Sequence, residues 1–87
     1  MQIRDKKKFV LKVLAKHSKR LRGEKSQFML GSENDISCSI LSTIERGLKD
    51  PQFTTLIKLA EAYNIKTWEF VKLIEEDFPE GFSLIDQ

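Results

Sequence analysis

SQFMLGSENDISCSILSTIERGLKDP, residues 26–51, divides into two short helices around a tight turn. Ser26 is a good N-cap, because its side-chain oxygen can take an orphan amide of the first turn, and it opens a helix running to about Asn34. Asn34 and Asp35 supply the turn, since both tolerate left-handed backbone angles. Ile36 then plugs a core, Ser37 caps a second helix reaching about Arg46, and Gly47 stops it. Met29 and Leu30 form the inner face of the first of these helices, with Phe28 at its edge. Leu41 and Ile44 face inward from the second at i, i+3 spacing. Gly31 is costly inside a helix, and its presence predicts close approach of the following helix. Two helices this short cannot bury enough apolar surface alone, so they must cross each other on a scaffold. The outer face of the second helix is then left exposed. It carries Cys38, Ser39, Ser42 and Thr43, all small, neutral and able to hydrogen-bond.

The flanking sequence supplies the scaffold. A first helix is predicted from about Asp5 to Arg22, with Phe9, Val10, Val13, Leu14 and Leu21 forming one apolar stripe and Gly23 ending it. His17 and Ser18 interrupt that stripe, and His17 reads as a partly buried helix residue because no Cys or carboxylate lies at ligand spacing. After the loop Leu48–Pro51, a fourth helix spans about Phe53 to Tyr63, with Phe53, Leu56, Ile57, Leu59, Ala60 and Tyr63 mostly inward and Asn64 as its C-terminal cap. Thr67 caps a fifth helix from Trp68 to about Asp77, carrying Trp68, Phe70, Val71, Leu73 and Ile74. That helix is apolar on more than one side and is expected to bury a second face. Pro79 stops it, and the tail Glu80–Gln87 holds Phe82, Leu84 and Ile85. No strand-like alternation extends beyond a few residues. The expected fold is all-α with five helices.

Eighty-seven residues suit a single domain, and the division read from the sequence is residues 1–77 as that domain with residues 78–87 as a tail. The apolar runs are too short to span a membrane, and the basic N-terminus reads as a helix rather than a signal peptide. One cysteine excludes an internal disulfide and suits a reducing cytoplasm. The net charge of +2 conceals an asymmetry. Residues 1–25, including Arg4, carry +8, whereas residues 26–87 carry −6. One end is built to sit near a polyanion and the other to avoid it.

Ser26-Gln27, Leu30-Gly31, Ile36-Ser37, Leu41, Ile44-Glu45, Gly47, Pro51 and Phe53 through Ile65 closely resemble the pattern of the Cro/C1-type helix-turn-helix family, also called the XRE family. The resemblance covers about Leu14 to Phe70. It implies a compact lambda-repressor-like DNA-binding domain with its helix-turn-helix motif at residues 26–46. It further implies that Ser37, Cys38, Ser39 and Thr43 approach base edges in the major groove, with Ser42 on the same side. Gln27, Arg46, Lys49 and Gln52 match positions that touch the DNA backbone. Arg22, in the Leu21-Arg22 pair, matches a residue that bridges to the glutamate ending the recognition helix, here Glu45, so its expected role is structural first and a phosphate contact second. Three departures stand out: the short Gly23-Glu24-Lys25 connection, Ser18 where an apolar residue is usual, and Asp35 where glycine is usual.

Major-groove reading needs donors and acceptors at base edges, positioned by backbone contacts. Ser39, Ser42 and Thr43 can both donate and accept, and Ile40 either meets a thymine methyl or packs on the preceding helix. No Arg, Asn or Gln stands between Ser37 and Glu45, so specificity is expected to lean on Gln27, Arg46, bridging water and DNA shape. One small domain reads few base pairs, which predicts a homodimer on a roughly palindromic operator with half-sites about 34 Å apart. Trp68, Val71, Ile74, Phe82, Leu84 and Ile85 are the expected dimer surface, unless the tail simply closes the monomer core. The expected role is a transcriptional regulator binding double-stranded DNA, repressor-like and cytoplasmic. The alternative is an antitoxin or other interaction module that masks a small protein partner. No catalytic constellation, metal site or cofactor motif is legible. Cys38 reads as a small neutral contact residue, with a redox switch as the sharper alternative.

Overall fold

The computed structural model describes residues 5–85. Arg4, and the outer ends of the 1–77 and 78–87 segments at residues 1–4 and 86–87, lie outside the described residues. The described residues form five helices and no strand: α1 Lys6–Arg22, α2 Gln27–Glu33, α3 Cys38–Glu45, α4 Phe53–Ala62 and α5 Thr67–Glu75.

Helix starts are set by groups that satisfy orphan amides. Asp5 accepts from Lys8 N at 3.0 Å, Ser26 from Met29 N at 3.1 Å and Ser37 from Ile40 N at 3.0 Å. At α5 the expected cap is displaced by one residue. Thr67 is already helical, and the flanking position is Lys66, whose backbone N–H donates to Glu69 Oε1 at 2.9 Å.

Helix ends repeat one device. Ile36 N bonds to Gly31 O at 3.0 Å, Leu48 N to Thr43 O at 3.0 Å and Ile65 N to Ala60 O at 3.1 Å. Each 6→1 bond spans a residue in the left-handed region: Asp35 (φ 56°), Gly47 (φ 73°) and Asn64 (φ 60°). Asn34 does not share that conformation. It stays at φ −126°, and its amide donates to Leu30 O at 2.8 Å, holding the turn from the side-chain end.

Gly31 does mark the close approach of α3, through Leu41, but the tighter constraint is in the turn. A Cβ there would run into the carbonyl oxygen of Ile36, in the turn itself, and would press on Leu41 Cδ1 at 3.3 Å. Leu41, Ile44, Leu59, Ala60 and Phe70 are fully enclosed, joined by Val13, Leu14, Leu30, Ile36, Tyr63 and Ile74. α1 packs on both α3 and α5, α2 on α3, and α4 on α5. His17 and Ser18 extend the α1 stripe into the core rather than interrupting it. Two expected inward residues face out instead: Met29 is exposed in α2, and Phe53, in the first turn of α4, is 70% exposed.

The last turn of α5 tightens to i→i+3 bonds, Asp77 N to Ile74 O and Phe78 N to Glu75 O, before Pro79. The chain then folds back. Phe82 packs with tilted rings against both Phe9 of α1 (5.5 Å between centroids) and Phe78 (4.9 Å), completing a three-ring cluster that closes the end of the core.

Alanine at position 31 should destabilise the fold by about 1–3 kcal/mol, the range for overpacking against immovable neighbours, read as a lowered urea midpoint at unchanged slope. Burial pushes the Tyr63 phenol up to about 12, offset in part by the neighbouring Ser18 hydroxyl. It is the single tyrosine of the chain. An absorbance titration of the folded protein should therefore show phenolate formation near pH 12, not near the ordinary value of about 10.

Candidate nucleic-acid interface

The Ser37 hydroxyl, occupied as an acceptor by the first turn, presents Cys38 and Ser39 at the exposed start of α3. One turn on, Ser42 and Thr43 are half-buried. The Thr43 hydroxyl donates to Ile40 O at 2.8 Å, so toward a ligand it offers its acceptor lone pairs and its methyl group. Ser39, Ile40 and Thr43 form one wall of a shallow groove, and Leu48, Lys49 and Asp50 of the following loop form the other. Arg46, Lys49 and Gln52 all point to solvent, with Arg46 Nε reaching Ser42 O at 3.4 Å. Gln52 flanks α4 without a capping side-chain bond.

Behind this face sits an ionic lock. Arg22 Nε and Nη2 grip the two oxygens of Glu45 at 2.8 and 2.9 Å, and Arg22 Nη1 donates to Lys25 O at 2.6 Å. Gln27 Nε2 adds a bond to Glu45 Oε1 at 3.1 Å. Three elements, α1, α2 and α3, therefore converge on a carboxylate only 3% exposed. Burial alone would raise the Glu45 carboxyl. The hydrogen bonds from Arg22 and Gln27, with the charges of Arg22 and Lys19, outweigh it and hold the group below the ordinary carboxylate range. The same bond raises the Arg22 guanidinium above its usual value. Gln27 is thus half-buried and committed to Glu45 through its amide nitrogen.

Comparison with family models, curated proteins and solved structures finds no match to this chain.

The six apolar residues expected on a dimer surface separate into different places. Ile74 is buried in the core and Phe82 is packed against Phe9 and Phe78, so both are taken up by the monomer. Val71 is half-buried. Trp68 is 66% exposed in the first turn of α5, beside a groove formed with Ile65 and Leu73 and edged by Glu69, Lys72 and Glu76. Leu84 and Ile85 are exposed at the tail, where Lys6 Nζ reaches Ile85 O at 3.5 Å, next to the start of α1.

A second polar cluster has no local signal in the sequence. His17 Nε2 meets Asp77 Oδ2 at 2.7 Å across sixty residues of chain, Lys16 pairs with the same oxygen, and Arg20 Nη2 lies 2.8 Å from His17 Nδ1. A guanidinium only donates, so Nδ1 accepts and the ring proton sits on Nε2, facing Asp77. Lys16 first and His17 second hold the Asp77 carboxyl below its ordinary range. This cluster fastens the end of α5 to α1. Among the described residues, no group of three or more His, Cys, Asp or Glu stands where it could hold a metal ion.

A carboxyl whose folded pKa lies below its unfolded value of about 4 adds stability above that value and loses it as pH falls through the folded one. Glu45 and Asp77 both have this sign. Chemical denaturation from pH 7 down to pH 2 should therefore show stability falling below about pH 4. Glu45→Ala should cost about 3 kcal/mol at neutral pH, because it strands a mostly buried guanidinium, and should flatten part of that acid decline.

Proposed function

We propose that this chain is a non-enzymatic, sequence-specific DNA-binding transcriptional regulator with a lambda-repressor-like helix-turn-helix fold. In this reading α2, the Asp35 turn and α3 are the helix-turn-helix, and α3 enters the major groove. The observation that carries it is the treatment of Glu45. The acidic residue of α3 is withdrawn from the outer face and neutralised by Arg22, so what α3 presents outward is Ser37, Cys38, Ser39, Ser42 and Thr43, without a negative charge. A phosphate-lined groove would repel a carboxylate and admits this surface. Arg46, Lys49 and Gln52 then take phosphates flanking the bases, and Gln27 steadies the lock while remaining near the backbone. A cytoplasmic location and a repressor-like role accompany this reading.

A homodimer on a twofold site is part of the proposal, with the exposed Trp68 groove and the Leu84–Ile85 tail as its apolar surfaces. The same Trp68 groove favours the second reading, an antitoxin-like module whose α5 face receives a small protein partner.

Selection of bound sequences from a random duplex pool tests the first reading. The wild-type protein should recover a twofold-symmetric site with half-site centres roughly 34 Å apart. Replacing Ser39 and Thr43 together by alanine should change the preferred bases, at about 1–3 kcal/mol per affected base pair. An unchanged preference would remove α3 as the reading element. Sedimentation should show a dimer that Trp68→Ala weakens. A strict monomer with and without duplex, together with capture of a small partner at α5, would favour the interaction module instead.

A further inference from the structure

The ion pairs leave the unmatched charge of the two halves on different surfaces. Asp50 is taken by Lys7, Asp77 by Lys16 and His17, Glu33 by Lys25, Asp35 by Lys58 and Glu45 by Arg22. Lys7, Lys25 and Arg22 thereby occupy Asp50, Glu33 and Glu45, while Glu24, just past the end of α1, is exposed with no ion pair among the described residues. Lys8, Lys12 and Lys19 are exposed, and among the described residues no ion pair involves them. At i, i+4 and i+11 they occupy one side of α1, about 16 Å from end to end at 1.5 Å per residue.

Two contacts place this stripe beside α3. The Lys12 stem and backbone lie 3.6–3.7 Å from where a Cβ on Gly47 would stand, so the start of the α3–α4 loop rests on α1 at Lys12. Lys7 reaches Asp50 of the same loop at 3.7 Å. Farther along α1, Lys19 is near enough to Glu45 to act on its charge. The stripe thus shares an edge with Arg46 and Lys49. A row this long does not converge, which excludes a small anion as its ligand. The apolar side of α1 is buried in the core, so the helix has no face to insert into a bilayer. A regularly spaced, extended polyanion fits.

We propose that Lys8, Lys12 and Lys19 form a phosphate rail that grips the backbone of duplex DNA beside the segment entered by α3. This rests on the DNA-binding reading of α3 and extends its contact surface along the exposed side of α1 at three named lysines. The rail carries no base information; it adds affinity and salt dependence.

The test is binding of the full chain to a mixed-sequence duplex at several salt concentrations. The proteins compared are the wild type, Lys8→Gln/Lys12→Gln/Lys19→Gln, the same three changed to Arg, and Lys66→Gln/Lys72→Gln as a charge-loss control on the α5 side. The glutamine triple should flatten the log–log salt slope by about 2.7, so that the wild type loses roughly 40-fold more affinity than the triple between about 50 and 200 mM salt. The arginine triple and the α5 control should keep the wild-type slope. A glutamine triple that stays folded by circular dichroism and retains the full slope overturns the rail while leaving α3 as the reading element. An equal loss in the α5 control reduces the effect to net charge and also overturns it. A wild type that binds no duplex at low salt overturns both readings. Loss of binding to anionic phosphatidylserine vesicles, with duplex binding intact, would move the stripe to a membrane surface and overturn the proposal.

Discussion

The guanidinium of Arg22 meets the carboxylate of Glu45 through two parallel hydrogen bonds, and that pair joins the end of α1 to the end of α3. Gln27 brings the start of α2 to the same carboxylate. Desolvating two charges offsets most of their attraction, so such a pair adds little net stability over an apolar contact. Its effect is on geometry. A planar fork accepts a carboxylate in few orientations, so the last turn of α3 is held at a fixed angle to α1. Apolar packing through Leu41 and Ile44 fixes how deeply α3 sits, and the lock fixes its rotation. Without it, a helix of eight residues resting on two buried side chains would have little to define which residues face outward.

The part of the fold legible in the sequence was the part specified by neighbours in the chain. Ser26, Ser37 and Gly47 act within a few residues of themselves, so capping chemistry places α2 and α3 to within a residue. The all-α class and the five-helix order follow from the same local rules. Legibility failed where a partner came from far away. Ser18 appeared to break a stripe because a hydroxyl looks wrong in a core, yet it is fully enclosed beside Tyr63. His17 showed no carboxylate at ligand spacing, and its partner proved to be Asp77, past the end of α5. Ile74 and Phe82 looked surplus because the count of apolar residues does not reveal how much surface α1 offers. Phe9 receives Phe82, and the monomer absorbs both. Phe53 and Met29 erred the other way, since a first-turn apolar residue has no preceding turn to cover it. At the candidate interface the hydroxyl face was readable from local spacing, whereas the Arg22–Glu45 pair, twenty-three residues apart, was implied only by the family resemblance, and the orientation of the α1 lysines depended on the rest of the fold.

The charge asymmetry of the chain becomes spatial only through the ion pairs. Local pairing removes Asp50, Glu33 and Glu45 from the α1–α3 side, while Glu61, Glu75, Glu76 and Glu80 remain exposed on α4, α5 and the tail with no ion pair among the described residues. A modest net charge therefore hides two surfaces of opposite character, and an approaching polyanion would be oriented before contact.

On the proposed reading, side-chain length then sorts the roles. Serine, cysteine and threonine extend only a short way from the helix axis, so α3 reaches base edges only by entering the groove bodily. The major groove is about 12 Å wide, close to the diameter of a helix with its side chains. A helix that deep brings its flanks near the phosphates on both sides, where long, flexible lysines suit variable distances and short hydroxyls do not. An arginine-rich α3 would reach the same bases from farther out and would not need the flanks. Short side chains at the centre and long cations beside them are therefore two halves of one docking geometry, and the Arg22–Glu45 lock is what keeps them in register.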